Sequence, residues 1–326
     1  MILRGRAWLV ALAGALLLVG GAAWFLGGWF ASGPLEKDTT FTVPEGAGLA
    51  VISERLAEQG VVSSATSFRL RARILGAGGA IKAGEFAIPA HASARQVLSI
   101  LYSGQVVRRL VTVPEGMPSI MVWERLMRNE LLTGEIPIPR EGSLLPDSYD
   151  FVRGEGRATV VSRMQAAMDK TLAALWAKRS PASVVKTPAE ALVLASIVEK
   201  ETGKPSERKM VAGLYSNRLR IGMPLQADPT IIYPITQGKP LGRRIRQSEI
   251  SAVNGYNTYS MTGLPRGPIT NPGRASIEAV LNPAKTDALY MVADGTGGHQ
   301  FSATLEQHNA AVAKWFALRR SRGELD

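Results

Sequence analysis

Apolar and polar positions change rhythm several times along the chain, and each change predicts an element. From about Ala7 to Phe30 there is no charge at all, and the run is long enough to cross a bilayer as a helix. Trp8, Trp24 and Trp29 stand near its ends, where interfacial aromatics belong. A cleaved signal peptide is the alternative. Its apolar stretch would be shorter and would close on a small-x-small site, whereas Trp24-Phe25 and Trp29-Phe30 fill that place here. An uncleaved anchor is the expectation. Arg4 and Arg6 precede it, which predicts a cytoplasmic N-terminus and an exported body.

After a polar linker the period shortens to that of strands, then lengthens to that of helices, twice. Thr42-Val43-Pro44-Glu45-Gly46 recurs as Thr112-Val113-Pro114-Glu115-Gly116. Each copy ends a β-type run (Thr40 to Val43; Arg109 to Val113) and turns into an amphipathic segment: Leu49, Ile52, Leu56 in one, Ile120, Trp123, Leu126 in the other. Between them the pattern predicts a helix over Phe68 to Leu75, a strand over Gly84 to Pro89, and a helix over Ala94 to Tyr102 stopped by Gly104. Strand, turn, helix and return strand make a small α+β unit, either a binding module or a spacer. Glu141 to Phe151 is dense in Gly, Pro and Asp and predicts a turn-rich connection. A long amphipathic helix is expected from about Thr159 to Arg179.

Thr187 to Gly203 is the best-marked helix. Thr187 is a candidate N-cap, Pro188 suits the first helical position, Glu190 completes a capping box, and Gly203 offers a left-handed stop. Its apolar middle ends in Glu199-Lys200-Glu201. Residues two apart on a helix point about 200° apart, so these two Glu face different ways. Glu201 continues the stripe of Leu194 and Ile197 and sits in the last turn, at the carbonyl end of the dipole. Burial and dipole both raise a carboxyl pKa, which suits a general acid. The plainer alternative is a solvated charged turn. Further on, Ser206 is the expected cap of a helix to about Arg220, followed by a polar loop over Gly222 to Thr230. A long Gly-, Pro- and Asn-rich loop over Asn254 to Gly273 is expected to be ordered. Then come a helix (Ala275 to Leu281), a hairpin (Leu289 to Ala293 and Gln300 to Ser302 around Asp294-Gly295) and a closing helix (Leu305 to Arg319).

The composition narrows the chemistry. The chain has 326 residues and no cysteine, which removes disulfides, thiol catalysis and Cys-ligated metals. Its three His (His91, His299, His308) lack ligand spacing. The formal charge of +11 fits an anionic surface or polymer, but the Arg and Lys are dispersed and no nucleic-acid-binding signature is present. There is no phosphate-binding Gly loop and no nucleophile elbow. What remains is Glu201 with polar residues on loops: Gln226, Asp228, Asn254, Tyr256, Asn257, Tyr259, Asn271 and His299. Amide and hydroxyl groups beside flat rings suit sugars, and the same Asn and Asp also make ordinary turns. Glycoside hydrolysis takes two carboxylates, and Glu201 with Asp228 is a candidate pair. One carboxyl suffices where the sugar supplies its own nucleophile.

At this point the motifs join into a resemblance. Ala195-Ser196-Ile197-Val198-Glu199-Lys200-Glu201-Thr202 resembles the signature of MltG-type (YceG-like) endolytic murein transglycosylases. Asn217 to Met223 with Leu225 to Thr230, Tyr256 to Tyr259 with Gly263-Leu264-Pro265, Asn282 to Thr286, and Val292 to Gly295 with Gly298-His299 and Phe301 are similar to the same family, in order. Ala227 departs from the Thr that relatives often carry. The resemblance implies an α+β protein of the bacterial inner membrane with its body in the periplasm. A cytoplasmic tail (1–6), transmembrane helix (7–30) and linker (31–40) would precede LysM-like small α+β modules (41–140) and a mixed α/β catalytic domain (141–326). It implies cleavage of nascent peptidoglycan strands between N-acetylmuramic acid and N-acetylglucosamine to leave 1,6-anhydro ends. Glu201 would be the single acid and base, without cofactor or metal. Peptidoglycan glycan and the membrane are the implied partners, with the wall synthases as further candidates. A non-catalytic wall-binding scaffold and a two-carboxylate hydrolase are the competing readings.

Overall fold

The computed structural model describes residues 2–76 and 78–324. Helix α1 (Ile2–Phe30) opens the chain. Its Leu12–Phe30 stretch is long and apolar enough to cross a membrane by length and composition, a test that a signal sequence also passes. The rest follows as β1 (Thr39–Val43), α2 (Leu49–Glu58), α3 (Ala65–Leu75), β2 (Gly84–Ile88), α4 (Ala94–Ser103), β3 (Arg109–Thr112), α5 (Ser119–Met127), β4 (Ser148–Phe151), α6 (Arg157–Trp176) and α7 (Pro188–Glu201). A 3-10 turn at Pro205–Glu207 leads to α8 (Arg208–Arg220), α9 (Asp228–Thr236), α10 (Gln247–Ile250), α11 (Arg274–Leu281), β5 (Tyr290–Ala293), β6 (His299–Ser302) and α12 (Leu305–Ser321). The mixture is α+β, with strands only in pairs among the described residues: β1 with β2, β3 with β4, β5 with β6.

The chain divides into two compact units, Met1–Arg109 with Val152–Gly154, and Leu110–Phe151 with Glu155–Asp326. In the first, β1 and β2 pair antiparallel from Thr39↔Ile88 to Val43↔Gly84 and enclose α2 and α3. Phe41, Ile52, Leu56, Phe68, Phe86 and Leu101 fill its core, and Trp29 from the end of α1 joins them. In the second unit, α7 runs through the centre of the main apolar cluster with Leu194, Ile197 and Val198 fully buried, packed with Val211 and Leu214 of α8 and Ile277 and Val280 of α11. A smaller cluster holds Val122 and Leu126 of α5 against Val160 and Met164 of α6.

The two copies of Thr-Val-Pro-Glu-Gly share one local geometry. Gly46 (φ 70°) and Gly116 (φ 73°) take the left-handed conformation that the turn requires, which is why each copy ends in glycine. In each the residue after that Gly donates its N–H to the proline carbonyl, Ala47 to Pro44 and Met117 to Pro114, both at 3.2 Å. The second copy is built into the second unit, where the Gly116 N–H bonds the carbonyl of Asn271 at 3.1 Å.

Several expected boundaries moved, for local reasons. Helix α7 begins as expected, with Thr187 Oγ1 accepting from Glu190 N at 3.1 Å. The reciprocal bond is displaced by one residue, since Glu190 accepts from Lys186 N at 2.6 Å. Gly203 is not the left-handed stop: the chain leaves the helix through an extended Thr202 (φ −138°), and Gly203 has no positive φ. The Thr202 hydroxyl accepts from Lys204 N at 3.1 Å and makes the turn itself, so no left-handed residue is needed. Ser206 lies inside the 3-10 turn rather than capping α8. The polar stretch around Asp228 folds as the start of α9, because Pro229 fits the first turn of a helix.

The long loop expected to be ordered is held by side chains. Ser196 Oγ on α7 accepts from Ile269 N at 3.0 Å. Asn271, fully buried, donates to Met117 O (2.9 Å) and Ser119 Oγ (3.0 Å) and accepts from Leu144 N (3.0 Å). Asn271→Ala strands that buried N–H, so a loss of about 2–3 kcal/mol is expected, seen as a lower midpoint in thermal or denaturant unfolding of the purified chain. An unchanged midpoint would show that the amide is dispensable.

Candidate functional site

Helix α7 delivers Glu201 to the floor of a pocket of about 200 Å³. Helix α8 folds back beside α7 and contributes Tyr215 and Arg218, three residues apart and therefore on one face. The segment before α9 adds Gln226 and Asp228, and the long loop adds Tyr259. Leu214 and Met291 form the apolar wall.

Burial in this protein-lined recess raises the Glu201 carboxyl to about 7, and the negative charge of Asp228 pushes in the same direction. A hydrogen bond from Tyr215 and the positive charge of Arg218 oppose them. The acid is therefore poised to hold or release a proton near neutrality. The Tyr215 hydroxyl stays protonated, its pKa raised by burial and by Glu201, and so remains a donor. Arg218 is fixed by its own donors: Nε to Leu289 O (2.7 Å) and Nη1 to Leu225 O (2.6 Å) and Pro224 O (3.3 Å). Asp228 is oriented by Tyr259, whose hydroxyl donates to Oδ1 at 2.6 Å. Gln226 takes φ 52° and donates its N–H to Thr258 O at 3.1 Å, a strained geometry at the pocket wall.

Of the residues singled out from the sequence, Glu201, Gln226, Asp228 and Tyr259 come together here. The other five sit outside the pocket lining. Asn254 accepts from Tyr256 N and Asn257 N, both at 2.9 Å, and Asn271 holds the long loop as described above. Asn257 is fully buried and spends its amide on Ile250 O (2.9 Å), Ala252 O (2.7 Å) and Glu249 O (3.3 Å), while its Oδ1 accepts from Tyr259 N (3.0 Å). It shapes the loop that presents Tyr259. Tyr256 packs on Tyr233 with ring centroids 4.8 Å apart, under Arg266. His299 is tied to Glu207, through Nδ1 to Oε2 (2.8 Å) and N–H to Oε1 (3.0 Å). Tyr215 and Arg218 were not singled out; the available signal was their spacing of three, one helix after the Glu-Lys-Glu run.

Glu199 faces elsewhere, as its spacing from Glu201 predicts. Its carboxylate accepts from Gly273 N at 2.9 Å and lies 3.5 Å from Arg208 Nη2, which also bonds Glu115 at 3.0 Å. It joins the second repeat to the helical core. A wider apolar cleft of about 500 Å³ lies nearby, with Lys200 and Pro229 on its wall, but its one carboxylate, Glu115, is the partner of Arg208.

Residues 41–314 match the sequence model of the YceG-like family. The chain belongs to the YceG-like family. It is 28% identical to the endolytic murein transglycosylase of Bacillus subtilis over 343 residues, 94% of this chain and 93% of that protein. It is 29% identical to the endolytic murein transglycosylase of Streptococcus pneumoniae over 328 residues, 86% of this chain but 58% of that longer protein. Among solved structures it is similar to a YceG-like protein of Listeria monocytogenes, with 26% identity, a TM-score of 0.53, and coverage of 84% of this chain and 98% of that one. The fold of this YceG-like chain thus accords with that of a solved relative over most of its length.

The electrostatics of Glu201 carry a linked prediction for stability. Its folded pKa of about 7 exceeds the ordinary value of 4.5, so the native state keeps a proton that the unfolded chain loses in that window. Stability therefore falls as pH rises from 4.5 toward 7, and Glu201→Gln removes that loss. The variant's melting temperature should exceed the wild type's at pH 8 by more than it does at pH 4. A difference that does not change with pH would mean that Glu201 titrates normally. Asp228→Asn should lower the Glu201 pKa, read by carboxyl titration in infrared difference spectra.

Proposed function

We propose that this chain is an endolytic murein transglycosylase with Glu201 as its single catalytic acid and base. The observation that carries the reading is the Glu201 carboxyl, raised to about 7 in a pocket whose other groups hold it or its neighbour in place. The names of its relatives supply the substrate, the glycan strand of peptidoglycan.

The protonated carboxyl lies at the base of the pocket, where the oxygen linking N-acetylmuramic acid to N-acetylglucosamine would enter. Glu201 gives its proton to that oxygen as the C1–O4 bond breaks. The C6 hydroxyl of the same muramyl residue closes on C1, and its proton passes to Glu201, which is thereby restored. No water is consumed, and the product is a 1,6-anhydro end. The developing positive charge at C1 is eased by the negative charge of Asp228, held by Tyr259. Arg218 and Tyr215 limit the upward shift of Glu201 so that it can also act as a base. Asp228 in the same pocket supports a second reading, hydrolysis by a carboxylate pair, in which Asp228 directs a water.

The remaining assignments belong to the same proposal. Helix α1 anchors the protein in the inner membrane with Arg4 and Arg6 in the cytoplasm and the body in the periplasm. The strand–helix–helix–strand unit of β1, α2, α3 and β2 is the LysM-like module, supported by its antiparallel strand pair. The second repeat copy serves the catalytic body, through Glu115 and Gly116. The wall synthases are its candidate protein partners.

The test is turnover of uncross-linked glycan strands by the full chain and by two variants. Glu201→Gln should lose at least about 10³-fold, since it removes the acid. Glu199→Gln should retain most of the turnover, with a lower melting temperature. Equal losses at both positions would remove Glu201 from its role. Wild-type turnover should also fall as pH rises above about 7, where the acid loses its proton.

A further inference from the structure

We propose that helix α3 is an interfacial foot that sits in the headgroup region of an anionic bilayer beside the anchor. The proposal rests on the anchoring of α1 given above.

The first observation is where α3 meets α1. Arg71 of α3 donates Nε to Phe25 O (2.9 Å), Nη1 to Gly28 O (3.3 Å) and Nη2 to Trp24 O (3.5 Å). Its guanidinium also stands 5.2 Å from the Trp24 ring centroid and 5.6 Å from that of Phe25. Helix α3 is therefore fixed at the level of residues 24–28 of α1.

The second is the depth of that level. Trp29 is buried in the core of the first unit, 6.3 Å from the ring of Phe68, so the last turn of α1 belongs to protein rather than lipid. The apolar stretch left for the bilayer is Ala7 to Leu26. Those residues span about 30 Å at 1.5 Å each, the thickness of a hydrocarbon core. The boundary of the bilayer then falls where Arg71 bonds the helix.

The third is the outward face of α3 itself. Phe68 and Ala72 point into the core, yet Leu70 and Ile74 on the other side are 51% and 62% exposed. On a helix, residues four apart lie about 40° apart, so Leu70 and Ile74 form one apolar patch. Arg69 and Arg73 flank it. Trp24 and Leu26 of α1, in the same unit and at the level where Arg71 bonds the helix, are also exposed. Leucine and isoleucine between arginines, level with a bilayer boundary, match the chemistry of an interfacial helix: acyl chains for the apolar patch and lipid phosphates for the guanidinium groups. Such a foot, braced by Arg71, fixes how the first unit stands on the membrane.

The absence of native cysteine makes the test direct. Single-cysteine variants of the full chain, Leu17→Cys, Glu54→Cys, Leu70→Cys and Ile74→Cys, are nitroxide-labelled and reconstituted in nanodiscs of phosphatidylglycerol and phosphatidylcholine. Power saturation then compares collisions with oxygen and with a water-soluble nickel chelate. Labels at 70 and 74 should favour oxygen, as at 17, while the label at 54 on α2 favours the chelate. Replacing phosphatidylglycerol by phosphatidylcholine should shift 70 and 74 toward the chelate, and Arg69→Gln with Arg73→Gln should produce the same shift in anionic discs. Chelate-accessible labels at 70 and 74 with a lipid-facing label at 17 would overturn the foot and leave the anchor standing. A chelate-accessible label at 17 would overturn the anchor and the foot together.

Discussion

A carboxyl group placed at the carbonyl end of an apolar helix is the constraint on which the second unit is arranged. Glu201 ends α7 with buried Leu194 and Ile197 behind it, where a charge is costly from both desolvation and the helix dipole. The surroundings moderate the cost without abolishing it. Asp228 adds to the penalty, and Tyr215 and Arg218 relieve part of it, so the acid rests near neutrality instead of being frozen in one form. Each of those neighbours is positioned by bonds of its own: Arg218 by the carbonyls of Leu225 and Leu289, Asp228 by Tyr259, and Tyr259 in turn by Asn257. These bonds fix the groups that set the Glu201 carboxyl near neutrality.

Helix α7 and its acid were legible because their signals are local. A Thr-Pro cap, an uninterrupted apolar run and a terminal carboxylate all lie within one element, and helical spacing alone separates Glu199 from Glu201. Gly203 is not needed as the stop, because a hydroxyl can make the same turn and Thr202 stands one residue earlier. Residues chosen for their sugar-like chemistry divided according to what their own backbone claimed. Asn257 and His299 carry the right groups, but nearby carbonyls take the amide of one and Glu207 takes the imidazole of the other. The place of Tyr215 and Arg218 beside Glu201 is not legible in the sequence, because only the folding of α8 against α7 brings them there. Pairing across helices is tertiary information that periodicity does not contain.

The repeat shows the same limit from another side. Both copies of Thr-Val-Pro-Glu-Gly make the same turn, and each glycine is required by its positive φ. Their surroundings differ. In the second copy Glu115 and Gly116 bond Arg208 and Asn271, and so brace the unit that carries Glu201, whereas in the first Ala47 continues into α2 of the small strand–helix unit. A conserved local geometry serves two different structural roles.

In the proposed reaction a sugar hydroxyl, not water, closes on C1 while one carboxyl moves the proton. Mass spectrometry of the ends released from uncross-linked glycan strands in ¹⁸O-labelled water tests it most directly. Internal 1,6-anhydromuramyl ends are expected, free of ¹⁸O and absent from the Glu201→Gln reaction. Reducing muramyl ends carrying ¹⁸O would contradict it and would make Asp228 the partner of Glu201 in a hydrolase.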